Sequence, residues 1–354
     1  MSDLPTNLPK GRASATNPQN RFERIAVEFE AGEFGAGPER VETRYLRDSS
    51  RSIIATNQSP DVPFDASINP YRGCEHGCAY CYARPTHEYL GFSAGLDFET
   101  RILVKEDAPE LLRQELAARS WQPKPLGLSG VTDPYQPIER KLEITRRCLE
   151  VLAAFRNPVM IVTKNALIRR DLDHLQELAR HQAVGVMISI TTLDGELARI
   201  LEPRASHPRD RLAALRALRD GGVPVGVLVA PIIPAITDHE VPKILAAAAE
   251  AGAQTAGFTL LRLPGAVETV FDEWLQRHFP DRREKVLGRL RDARGGQLHD
   301  PRFGHRMRGD GPYAEQVAAL FHQARKKAGL ARRGFELSTA NFRRLREGQM
   351  ELFG

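Results

Sequence analysis

From about residue 65 onward, short apolar runs alternate with longer stretches of helical spacing. The runs at 126–131, 159–163, 184–190, 225–229 and 256–261 are rich in Val, Ile or Leu, as strands buried on both faces are. Between them, 143–155, 167–180, 209–220 and 240–251 carry apolar residues at helical intervals, and Gly221-Gly222 and Gly252 supply stop signals. A shorter strand is expected at 66–68. Strand and helix recur at roughly the length of a βαβ unit. With right-handed crossovers, this series predicts an α/β fold built on a parallel sheet. Polar or special residues end the runs: Ser129 to Asp133, Thr163-Lys164, Ser189 to Thr192, Pro231 and Arg262. On one barrel rim such ends form an active site, and six strands rather than eight predict a partial (β/α)6 TIM-type barrel.

The pattern divides the chain into four segments. Residues 1–60, rich in Asn, Pro, Arg, Gly and Glu, read as a partly disordered extension with one alternating stretch at 24–29. Residues 61–265 form the barrel, 266–330 a helical and loop region, and 331–354 a basic tail expected to be mobile. With 42% hydrophobic and 27% charged residues in 354, the chain is globular in composition, which argues against global disorder or a fibrous repeat. No run approaches the ~20 apolar residues of a membrane span. The first residues show no basic segment followed by an apolar one, so a secretory leader is not expected and a cytoplasmic location is. Charge is uneven: residues 281–354 hold 17 Lys+Arg against 9 Asp+Glu, net +8, while the other 280 hold 33 against 36, net −3. That basic end is a candidate to face phosphates or simply a solvated surface.

Four cysteines are too few for a disulfide scaffold, yet Cys74, Cys78 and Cys81 fall within eight positions. In an intracellular chain such crowding points to metal or redox chemistry. Three thiolates spaced C-x3-C-x2-C can each bind a different iron of a cubane, whereas a closed electron-transfer cluster normally takes four. Cys148, inside a predicted helix, reads as a small buried apolar residue. The competing reading is a Cys3His zinc knuckle recruiting His76 or His87, but no second half-site follows.

C-x3-C-x-aromatic-C, with Tyr80 as the aromatic, resembles the signature of the radical S-adenosylmethionine (SAM) superfamily. The residues Asn69 to Gly73, Thr132 to Pro137, Thr163-Lys164, Glu202-Pro203-Arg204 and Pro231 to Pro234 resemble its DNA-repair-photolyase-like branch, related to spore photoproduct lyase. The likeness covers about residues 45 to 330. It implies a [4Fe–4S] cluster on Cys74, Cys78 and Cys81, SAM chelated at the fourth iron, and reductive cleavage to a 5′-deoxyadenosyl radical. An electron donor such as flavodoxin or ferredoxin is implied with it. By the same resemblance Ser129, Thr132 and Asp133 meet the methionine moiety of SAM, although a Gly-Gly-Glu-like turn common in the superfamily is here Ser-Gly-Val-Thr-Asp. Lys164 is a candidate for the SAM carboxylate or a surface lysine. Ser189 and Thr191 are SAM contacts or strand-end caps, and Glu202 and Arg204 meet the ribose or each other. Pro231 to Pro234 is a stiff adenine wall or a rigid turn.

The related lyase uses a cysteine at the end of its second strand as hydrogen donor, and residues 126–133 contain none. This departure weighs against the same repair reaction. Tyr135 is a candidate hydrogen-atom exchanger or a packed aromatic. Arg302, His305, Arg306 and Arg308 are candidate phosphate donors or a solvated loop. Three function classes remain: a lyase-like radical SAM enzyme acting on nucleic acid or a nucleotide, one acting on a protein or small metabolite, and a non-catalytic iron–sulfur or zinc protein.

Overall fold

The computed structural model describes residues 9–22 and 41–345; the predicted alternation at 24–29 lies outside them, as do residues 346–354. Among the described residues, ten strands form two sheets: β1 Arg44–Arg47, β2 Ile54–Thr56, β3 Ala66–Ile68, β4 Tyr71–Arg72, β5 Arg101–Val104, β6 Leu126–Leu128, β7 Val159–Thr163, β8 Val184–Ser189, β9 Val225–Ile232 and β10 Ala256–Leu260. The larger sheet runs β10-β9-β8-β7-β6-β3-β2. Its six strands from β3 to β10 pair in parallel, and β2 adds an antiparallel edge. This is the predicted partial barrel, open between β10 and β2.

Helices Ile144–Phe155, Leu172–Arg180, Pro208–Asp220 and Val241–Glu250 cover the outside, each within a few residues of its predicted span. Their apolar faces and the Val- and Ile-rich strands share one core that includes Ile68, Leu126, Val159, Ile161, Val186, Val227, Leu149 and Leu215. A second sheet, β1-β5-β4, takes β4 and β5 from the connection between β3 and β6 and β1 from the segment before β2, and shares that core through Tyr71, Ile102 and Val104. Its strands are short and mostly exposed along β1, so no periodicity announces them.

Residues 331–345 cross the end of the barrel where the strands begin. Thr255, just before β10, bridges to Ala331, and its hydroxyl donates to Arg333 O at 2.9 Å. Phe335 rests on Gly185 of β8, Ser338 N donates to Gln182 O, and Arg343 N donates to Phe155 O. The Arg344 guanidinium donates to carbonyls at the C-terminus of helix Ala108–Ala117 and to Trp121 O. A cation there complements the negative end of the helix. Among the described residues, no helix is long and apolar enough to cross a membrane.

Candidate active site

β3 and β4 deliver the chain straight into the cysteine loop. Gly73 and Gly77 have φ of 78° and 60°, a region L side chains rarely adopt. Space enforces the choice too: a Cβ at Gly77 would lie 2.6 Å from Glu99 Oε2, and one at Gly73 would meet His87 and the Arg101 carbonyl. The loop then closes on itself and its neighbours, with Cys74 N donating to Phe98 O, Cys81 N to Cys78 O, and Ala79 N to Leu201 O. Cys74 and Cys78 are buried and Cys81 half-buried; all three are free thiols. Burial pushes each thiol up, and a bound cation would favour the thiolate form.

Beneath the loop lies a fully buried ion pair. Arg84 Nη2 donates to Glu99 Oε1 at 2.6 Å, and neither side chain touches solvent. The same guanidinium donates to the carbonyls of Cys78, Ala94 and Gly95. Glu99 in turn accepts from Ala13 N at 3.2 Å and Ser14 N at 3.0 Å. Residues 12–14 of the expected extension are therefore part of the support of the cysteine loop.

The strand ends β7, β8 and β9 meet Tyr80 in a second buried cluster. Lys164 Nζ donates to Ser189 Oγ at 2.5 Å and Ala230 O at 2.9 Å, lies 3.6 Å from Glu202 Oε1, and sits 5.6 Å from the Tyr80 ring centroid. Thr191 Oγ1 donates to Glu202 Oε1 at 2.8 Å and lies 3.1 Å from the Tyr80 hydroxyl, which itself donates to Glu202. Arg211 forms a buried pair with the other carboxylate oxygen. Burial pushes the Glu202 carboxyl up, but the charges of Arg211 and Lys164 outweigh it and hold it at about 2.

Glu202 and Arg204, expected to meet the ribose or each other, do not pair with each other. Glu202 follows the last turn of helix Gly195–Leu201 and points to Arg211, which lies in the first turn of the next helix. Arg204 instead donates to Glu75 Oε1 at 2.9 Å, between two of the cysteines and beside the Tyr45 hydroxyl. Asp133 is also turned inward. It accepts from Thr163 Oγ1, Lys164 N and Tyr135 N at 2.7 to 2.9 Å, with His76 Nδ1 at 3.4 Å. Burial pushes this carboxyl up, yet His76 and the other donors hold it below the usual range. Ser129 Oγ bonds both Thr132 and Asn69 at the end of β6, and Tyr135 is wholly buried in the main core. Ala230 O, beside Pro231, accepts from Lys164 and Ser189 and lies 3.0 Å from Thr191 Oγ1.

Two of the loop arginines are held by acids: Arg302 by Asp300 and Asp310, and Arg306 by Asp61. His305 faces Asp310 at 2.6 Å. Gly304 N also donates to Asp61, and Leu260 N of β10 donates to Met307 O. The loop thus straps the β10 edge of the open sheet to the connection between β2 and β3. Arg84, Glu99, Arg211 and Glu75 were not singled out from sequence, because ion pairs 15, 9 and 129 positions apart (Arg84 with Glu99, Arg211 with Glu202, Glu75 with Arg204) leave no periodic trace. Among the described residues no three His, Cys, Asp or Glu side chains converge on a site for a single metal ion. Three free thiols on one buried loop, above a neutralised ion pair, fit a larger multinuclear group.

Residues 68–248 match the family described as the radical SAM superfamily. An uncharacterized protein of Mycobacterium tuberculosis is 37% identical over 277 residues, covering 77% of this chain and 78% of its own. An uncharacterized protein of Methanocaldococcus jannaschii is 30% identical over 173 residues, covering 49% of this chain and 62% of its own. Among solved structures, a mutant of spore photoproduct lyase aligns with a TM-score of 0.57 at 18% identity, covering 86% of this chain and 84% of that one. The same lyase complexed with dinucleoside spore photoproduct aligns at 0.55 with 17% identity and the same coverage.

Proposed function

The chain belongs to the radical SAM superfamily, and on that premise we propose that Cys74, Cys78 and Cys81 hold a [4Fe–4S] cluster, with SAM bound over it and cleaved reductively in a lyase-like reaction on nucleic acid. Held by Cys74, Cys78 and Cys81, the cluster would supply the one-electron reduction that splits SAM into methionine and a hydrogen-abstracting 5′-deoxyadenosyl radical. The observation that carries this reading is the set of three free cysteines on one buried loop, with Cys148 remote in the core of a helix.

The protein's own part is to hold charge and exclude water. Lys164, at the end of β7 and over the Tyr80 ring, supplies the cation for a carboxylate of SAM, and Ser189 and Ala230 hold it in place. Glu202, kept ionised by Arg211, fixes the Tyr80 and Thr191 hydroxyls and so fixes the wall behind Cys78. Asp133 performs the same service for the backbone of Lys164. The buried loop keeps water from the sulfurs.

A nucleic-acid substrate is supported by the likeness of fold to a lyase solved with a dinucleoside photoproduct. The absence of cysteine from residues 126–133 favours a different fate for the substrate radical. An electron donor such as flavodoxin or ferredoxin completes the proposed system. Anaerobic reconstitution tests the whole: about four irons per chain, and 5′-deoxyadenosine formed from SAM only with reductant. Zinc without iron, or iron without SAM cleavage, would refute it.

A further inference from the structure

We propose that Arg262 is the receptor for a phosphate group of the substrate, at the rim beside Cys81. This deepens the proposed function, resting on its reading that the barrel mouth receives a nucleic acid or nucleotide. Arg262 follows β10 by two residues, and its guanidinium carbon stands 4.4 Å from the centroid of the Tyr82 ring. Tyr82 comes directly after Cys81, and its hydroxyl donates to Gly130 O at 2.7 Å. The stack thus joins the end of β10, the cysteine loop and the end of β6.

The other nearby arginines have their donors occupied. Arg294 is spent on the carbonyls of Leu260, Leu261 and Arg306, while Arg302 and Arg306 are held by Asp300 and Asp61. Arg262 differs. Its Nε is shielded from water without a hydrogen-bond partner, and among the described residues no carboxylate pairs with it. A half-buried cation with unused donors is costly unless an anion completes it. Burial, the largest cause, disfavours the charge of Arg262, and neighbouring Arg306 adds to it while Tyr82, Asp61 and Cys81 oppose it; Arg262 in turn disfavours a charge on His299, whose Nδ1 also lacks a partner. The faces beside it select the kind of anion. Tyr82 is 47% and Phe303 54% exposed, and each has an arginine over its ring. Exposed aromatic rings beside unspent guanidinium donors suit a base with its attached phosphate.

The test is calorimetric titration of the reconstituted full chain with dithymidine monophosphate, inorganic phosphate and acetate. The dinucleotide is expected to bind, to weaken with salt, and to lose about tenfold or more in affinity in Arg262→Gln, while Arg262→Lys retains part of it. Phenylglyoxal footprinting of the unaltered protein covers a variant that fails to fold: phosphate should protect Arg262 and leave Arg199 unprotected. Equal affinity in wild type and Arg262→Gln, tighter binding of acetate than of the dinucleotide, or no protection of Arg262 would overturn the site. With the titration as expected, failure to form 5′-deoxyadenosine would strike the proposed function alone and leave the phosphate site standing.

Discussion

Arg84 and Glu99 form an ion pair 2.6 Å long with no solvent contact on either side, directly under the three cysteines. Two charges there are tolerated because each is fully bonded: Arg84 to three carbonyls as well as Glu99, and Glu99 to the amides of Ala13 and Ser14. Arg84→Met leaves the carboxylate uncompensated and should cost about 3–5 kcal/mol. Denaturant unfolding reads that loss, and iron retention after reconstitution should fall with it. A stability within about 1 kcal/mol of wild type would show that the pair is dispensable.

Single replacements Cys74→Ala, Cys78→Ala and Cys81→Ala should each abolish stable iron binding. Cys148→Ala should keep the iron and lose only about 1 kcal/mol of stability, the cost of a small cavity. Iron content and absorbance of oxygen-free preparations separate the two groups. A Cys148 variant without iron would make that residue a ligand.

Lys164→Met should weaken SAM binding about tenfold or more while the iron content stays at the wild-type level. Equilibrium binding to the reconstituted protein measures it. Unchanged affinity would assign Lys164 to holding Ser189, Ala230 and Glu202 together and nothing else.

Glu202 gives the fold a defined acid sensitivity. Its folded-state value of about 2 lies below the ordinary 4.5, so its contribution is fully present above pH 4.5. As pH falls through about 2 the carboxylate is protonated and that contribution is lost. The difference corresponds to about 3 kcal/mol. Unfolding of wild type and Glu202→Gln, compared between these limits, should show a shallower pH slope in the variant. Parallel slopes would exclude Glu202 as the source.

Removal of residues 331–354 should lower stability by about 2–4 kcal/mol, because Phe335 and the helix-end contacts of Arg343 and Arg344 go with it. Thermal unfolding measures this. An unchanged midpoint would mean that the segment only rests on the barrel.

The barrel was legible because β7, β8 and β9 are continuous Val- and Ile-rich runs separated by helices with clear stops, and those features are local. The cysteine loop was legible for the same reason. The small sheet was not, since β4 spans only Tyr71–Arg72 and β1 is exposed along its length. Side-chain partnerships were harder still. Glu202 and Arg204 are close in sequence, but a helix end and the start of the next helix send Glu202 to Arg211 and Arg204 to Glu75. Likewise the arginines of the 302–308 loop show an excess of charge in the sequence, while Asp61, which holds Arg306, is more than two hundred residues away.

Ala79 N donates to Leu201 O, and Tyr80 to Glu202, which Arg211 completes. On the ribosome the three sulfurs therefore emerge well over a hundred residues before Leu201, Glu202 and Arg211 do. Insertion of the proposed cluster into a finished pocket has to wait until translation has passed Arg211 and that stretch has folded back, leaving a period in which the nascent thiols stand open to oxygen.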